Sequence, residues 1–101
     1  MAERISKSNF EEKIASGKVL VDFYSDSCVP CKRQNPVLSS LEEKYGEKIS
    51  IFKVNSNFDS ELAEKYSVMA APTLILFENG KEKDRKTGFQ PLEALEEWIN
   101  N

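Results

Sequence analysis

Histidine is absent from this 101-residue chain, and cysteine occurs only twice, as Cys28 and Cys31. A structural zinc site draws four ligands mainly from those two residue types, so the pair supplies half a site and a metal centre is not expected. No apolar run approaches the ~20 residues that span a bilayer, and the first ten residues lack the apolar segment of a secretory leader. Basic runs interleaved with aromatics are missing too, and the net charge is −3, which argues against nucleic acid or an anionic membrane as partner. Repeats, linkers and low-complexity stretches are lacking. These absences leave one domain over residues 1–101, a compact monomer expected in the cytoplasm, with other proteins as its partners. With 40% hydrophobic residues, it needs no covalent staple to fold.

What the chain does contain is organised around Val19-Leu20-Val21-Asp22-Phe23-Tyr24, an apolar strand that runs into both cysteines and then into a helix. Cysteines at i and i+3 on a first helical turn lie on one face, a spacing that permits a disulfide. Cys28 falls at the helix mouth, where unpaired N–H groups and the macrodipole favour a thiolate, and so is read as the nucleophile. Pro30 suits the first turn, and Cys31 lies one turn deeper, in position to resolve a mixed disulfide formed on Cys28. A purely structural staple is the alternative, but closing so short a loop removes only ~1.9 kcal/mol of unfolded-chain entropy, against ~4.7 for a 100-residue loop.

Around this stretch the periodicity predicts a short edge strand near Glu3-Arg4-Ile5. A helix follows, opened by Ser8 and Glu11 as a capping box and turned inward by Phe10 and Ile14, with Gly17 as the turn. The cysteine helix continues through Leu38 and Leu41 to Gly46, bending at Pro36 without ending. Ile49–Asn55 reads as a second central strand, and Ser60 as the cap of a short helix. Thr73–Glu78 and the charged Lys81–Thr87 form a hairpin about Asn79-Gly80, the latter strand suited to a sheet edge that must resist pairing. Pro91 opens a last helix with Leu92, Leu95 and Ile99 inward and Trp98 flanking them. The order is β-α-β-α-β-α-β-β-α, an α/β architecture with a mixed sheet between helical layers.

Val21-Asp22-Phe23, Cys28-Val29-Pro30-Cys31-Lys32, Pro36, Lys53, Ala71-Pro72-Thr73, Asn79-Gly80 and Gly88 stand in an order that resembles the thioredoxin family over nearly the full length. The resemblance implies the thioredoxin fold, a five-stranded mixed sheet flanked by four helices, and a thiol-disulfide oxidoreductase that reduces protein disulfides. It implies no bound cofactor: electrons would come from NADPH through a separate flavoprotein, thioredoxin reductase. Matched position by position, Cys28 is the attacking and Cys31 the resolving cysteine. Asp22 is the buried acid that exchanges a proton with the resolving thiol, Lys53 its partner on the next strand, and Pro72 a cis-proline facing the disulfide. A cis bond at Pro72 leaves the Ala71 main chain open to an extended partner segment by strand addition. Val29, Pro30, Met69, Ala70, Thr87, Gly88 and Phe89 complete an apolar collar for the partner's disulfide loop.

The sequence departs from the family at Ser27 and Tyr24, where tryptophans are usual, and at Val29, where glycine is usual. These departures bear on which partners are recognised. A general dithiol reductant is the leading expectation, beside a dedicated donor to one peroxidase or reductase system and a non-catalytic binding subunit. The last is disfavoured because Asp22, Pro30 and Pro72 are all present.

Overall fold

Five consecutive residues of the strand leading to the cysteines, Val19 to Phe23, are buried, which requires cover on both faces and neighbours on both edges. The computed structural model describes residues 2–101 and supplies both. The elements are β1 (Glu3–Arg4), α1 (Phe10–Ile14), β2 (Lys18–Tyr24), α2 (Val29–Tyr45), β3 (Ser50–Asn55), α3 (Ser60–Lys65), β4 (Thr73–Glu78), β5 (Lys81–Thr87) and α4 (Leu92–Ile99). The sheet order is β1-β3-β2-β4-β5. β1 and β2 run parallel to β3, whereas β4 is antiparallel to β2 and to β5. The mixed five-stranded sheet with four helices is the fold expected from the sequence.

Alternation along β2 divides the core in two. Val19, Val21 and Phe23 join Phe10, Ile14, Leu62, Ala63, Ile75 and Phe77, the side covered by α1 and α3. Leu20 joins Ile51, Leu74, Leu76, Leu38, Leu41, Leu95, Trp98 and Ile99, the side covered by α2 and α4. Asp22 has the parity of Leu20, and its register partner Lys53 that of Ile51, so both belong to the α2 side. Trp98 goes further inward than a flanking position: it is buried, and its Nε1–H donates to Asp84 Oδ2 at 2.9 Å.

Two helix starts differ from the sequence reading. The capping box does not form: Asn9 precedes α1, and its Oδ1 accepts the Ser6 N–H at 2.9 Å, while the Ser8 and Ser6 hydroxyls pair at 3.0 Å. Local side-chain bonds of this kind compete directly with capping. At α3 the residue before the helix is Asp59, with Ser60 inside it. The Asp59 main-chain carbonyl takes the Leu62 and Ala63 N–H groups, while its side chain turns to the Lys7 N–H at 3.3 Å, tying α3 to the entry of α1.

The turns hold as read. Asn79 and Gly80 both have positive φ, 50° and 85°, the combination that a two-residue hairpin needs. Gly17, at φ 73°, exchanges bonds with Asn79: its N–H donates to Asn79 Oδ1 at 2.8 Å, and its carbonyl accepts the Asn79 N–H at 2.9 Å. The charged edge β5 is anchored by Arg85, whose guanidinium donates to the Tyr66 carbonyl at 2.7 Å.

Candidate functional site

Where β2 ends, the chain crosses Ser25–Ser27 and starts α2, with Cys28 as the cap residue and Pro30 in the first turn. The crossing is held by polar ties: the Asp26 N–H donates to Asn57 Oδ1 at 2.8 Å, and buried Asn55 donates to Asp26 Oδ1 at 2.9 Å. Cys28 and Cys31 are joined as a disulfide, with Cα atoms 5.2 Å apart. The Cys31 N–H donates to Cys28 Sγ at 3.2 Å, so the sulfur occupies the place of a capping oxygen and satisfies one orphan donor. Cys28 retains 9% exposure and Cys31 only 2%, so Cys28 is the less deeply buried of the two.

Opposite the sulfurs lies the segment before β4. The Ala71-Pro72 peptide bond is cis, and the Ala71 carbonyl oxygen is 3.7 Å from Cys28 Sγ. The Gly88 N–H donates to the Pro72 carbonyl at 2.8 Å, bringing the Thr87–Phe89 turn to the same place. A cleft of about 240 Å³ adjoins Ala71, lined by Ser25, Ser56, Val68, Met69, Ala70 and Ala71. A larger cavity of about 330 Å³ between α1 and α3 is lined by Phe10 and Leu62 with ion-paired Lys7, Glu61, Lys65 and Glu11, and includes neither cysteine.

The residues expected in the collar differ in what they present. Val29 is 69% and Met69 92% exposed, and Pro30, Ala70 and Thr87 are exposed as well. Pro72 is buried, and Ala71, Gly88 and Phe89 are half-buried. Phe89 is not bare, because the Arg33 guanidinium covers its ring at 4.4 Å.

Asp22 is fully buried, and neither of its carboxylate oxygens has a hydrogen-bond partner. Burial pushes its carboxyl up from the ordinary 3.8 to about 7, with the Lys53 charge opposing the rise. Lys53 and Asp22 are register partners, yet the Lys53 ammonium bonds elsewhere: it donates to Asn35 Oδ1 at 2.6 Å and lies 4.5 Å from the centre of the Tyr24 ring. Lys53 therefore acts on Asp22 through its field and not through a bond.

Two residues of this region escaped the sequence reading. Asn35 fixes the Lys53 ammonium, and Gln34, fully buried, bonds the main chain of Gln90. A signal for Gln34 existed: α2 buries Cys31, Gln34, Leu38 and Leu41, so an amide occupies the stripe where an apolar residue is expected. Asn35, one step round the helix, carries no such mark.

A disulfide capping the longest helix and set against the segment before β4 defines a thiol-disulfide oxidoreductase on an α/β scaffold. The thioredoxin family model matches residues 1–101. The thioredoxin of Staphylococcus haemolyticus is 44% identical over 97 residues, covering 96% of this chain and 93% of the relative. That of Chlamydia caviae is 44% identical over 100 residues, covering 99% and 97%. Among solved structures, the thioredoxin Mala s 13 of Malassezia sympodialis aligns with a TM-score of 0.89 at 27% identity, over 98% of this chain and 90% of that one. The chain belongs to the thioredoxin family, and its chemistry is dithiol–disulfide exchange.

Proposed function

We propose that the chain is a protein-disulfide reductase in which Cys28 attacks and Cys31 resolves. In the reduced form, the Cys28 thiolate attacks one sulfur of a partner's disulfide, and the partner's other sulfur leaves as a thiolate that takes up a proton. Cys31 then gives up its proton and attacks the Cys28 sulfur, expelling the partner's second thiolate. Two electrons pass to the partner, and the chain is left as the Cys28–Cys31 disulfide. The observation that carries this assignment is the Cys31 N–H donated to Cys28 Sγ at 3.2 Å, since such a bond strengthens as its acceptor gains negative charge.

Asp22 is the proposed acceptor of the Cys31 proton. It belongs to the sheet face that α2 covers, and a carboxyl titrating at about 7 gains or loses a proton at neutral pH. Lys53 keeps that carboxyl from rising higher. The partner's segment lies across Val29 and Pro30, pairs with the main chain of Ala71 by strand addition beside Ala70 and Pro72, and meets Thr87, Gly88 and Phe89 on the other side. Family membership supports reduction by NADPH through a separate flavoprotein thioredoxin reductase. Disulfide-containing proteins are then the substrates, met by a monomer in the cytoplasm.

A second reading, a dedicated donor to one peroxidase or reductase system, is favoured by Val29, a stiff branched side chain 69% exposed beside Cys28. One experiment addresses both. Cys31→Ser in a native extract should hold substrates on Cys28 as stable mixed disulfides, a broad set for a generalist and one or two species for a dedicated donor. Capture by Cys28→Ser instead would reverse the two roles.

A further inference from the structure

Gln34 uses both ends of its amide, donor and acceptor, on one distant residue. Its Nε2–H donates to the Gln90 carbonyl at 2.9 Å, and its Oε1 accepts the Gln90 N–H at 2.8 Å, across 56 positions of sequence and with no exposure of the side chain. An amide so buried is costly unless bonded, and removing it strands a main-chain N–H and C=O. The position therefore demands a reason beyond filling the core, where leucine would serve as it does at Leu38 and Leu41.

The reason lies in what Gln90 carries. The residue ends the segment Thr87–Gln90, whose Gly88 N–H is bound to Pro72 at 2.8 Å and whose Phe89 lies under Arg33, the neighbour of Gln34 on α2. Gln90 Nε2 adds a bond to the Gly88 carbonyl at 3.3 Å. One end of the segment is thus pinned to the helix bearing both sulfurs, one turn after Cys31, and the other to the cis-proline segment. We propose that Gln34 is a positioning residue for protein substrates, setting the Thr87–Phe89 wall at a fixed height beside the disulfide so that a partner's chain meets a preformed surface. This inference rests on the reading that Thr87, Gly88 and Phe89 touch the partner. A small disulfide needs only the Cys28 sulfur and does not touch that wall.

The test is a split between substrates. Gln34→Met in the full chain keeps length and volume but removes both bonds. KM for insulin should rise about 3- to 10-fold, the loss of one or two modest hydrogen bonds, with kcat within about 2-fold and exchange with oxidised glutathione unaltered. Gln34→Asn, too short to span both bonds, should give the same split and serves if the methionine variant folds poorly. Equal loss toward insulin and glutathione, or no change toward either, would overturn the inference. Phe89→Ala separates the two layers of argument. If it leaves the insulin KM unmoved, the wall does not touch partners and the underlying reading fails; if it raises KM while both Gln34 variants do not, the positioning role alone fails.

Discussion

On the α1 and α3 side of the sheet, four rings pack directly on one another: Phe10 lies 5.3 Å from Tyr66 and 5.8 Å from Phe77 between centroids, Tyr66 lies 5.5 Å from Phe77, and Phe23 completes the group at 6.2 Å from Phe10. The buried acid on that side, Asp59, stands at the entry of α3 and accepts the Lys7 N–H. On the α2 and α4 side the core is mostly aliphatic, and Asp22, Gln34 and Lys53 are set into or beside it. Both faces are built from the same central strands, separated by one step of side-chain alternation. The first face is dominated by ring packing and carries its buried acid, Asp59, at its edge, whereas the second has Asp22 set into the middle of a central strand and Gln34 into the helix that covers it.

The largest effect that tests this contrast comes from the aromatic face. Phe77→Ala or Phe10→Ala should cost about 3–5 kcal/mol in denaturant melts, as buried aromatic truncations do, with the exchange rate per folded molecule unchanged. A fall in that rate would mean that the two faces are mechanically coupled, and the contrast would break.

Asp22 gives the next effect, with opposite sign. An acid whose carboxyl titrates at about 7 when folded and 3.8 ordinarily holds its proton longer in the native state. Its contribution to stability is therefore fully present below about pH 4 and is lost as pH rises toward about 7. At about 1.36 kcal/mol per pH unit, that loss is on the order of 4 kcal/mol by pH 8. Asp22→Asn should thus gain on the oxidised parent protein by that order between pH 3 and pH 8, while resolution of the mixed disulfide slows. Melts at several pH values and single-turnover exchange measure the two halves. Parallel stability curves together with an unchanged rate would remove Asp22 from the mechanism.

The smallest effect sharpens the contrast within the second face. Trp98 is the only indole, buried on α4 with its N–H committed to Asp84 on β5, while Tyr24 stands on the strand that leads to Cys28. Reduction with dithiothreitol should change tryptophan emission only slightly. A large change would mean that the aliphatic end of this face senses the disulfide.

Much of this was legible in the chain itself. The apolar run of β2 demanded a central strand, Asn79-Gly80 a tight hairpin, and a charged β5 an edge, because each signal is local and repeats with the period of its element. The cysteine spacing and the position at a helix mouth singled out Cys28, and a carboxyl in the middle of an apolar strand singled out Asp22. Tertiary structure alone decided where polar side chains send their bonds. Asp59 faces α1 in place of capping α3. Lys53 bonds Asn35 and leaves Asp22 bare, and Gln34 finds the main chain of Gln90. Apolar burial is nearly directionless, so a pattern along the chain suffices to foresee it. A hydrogen bond needs its partner near 3 Å and well aligned, and that partner can come from any part of the sequence that the finished fold brings close.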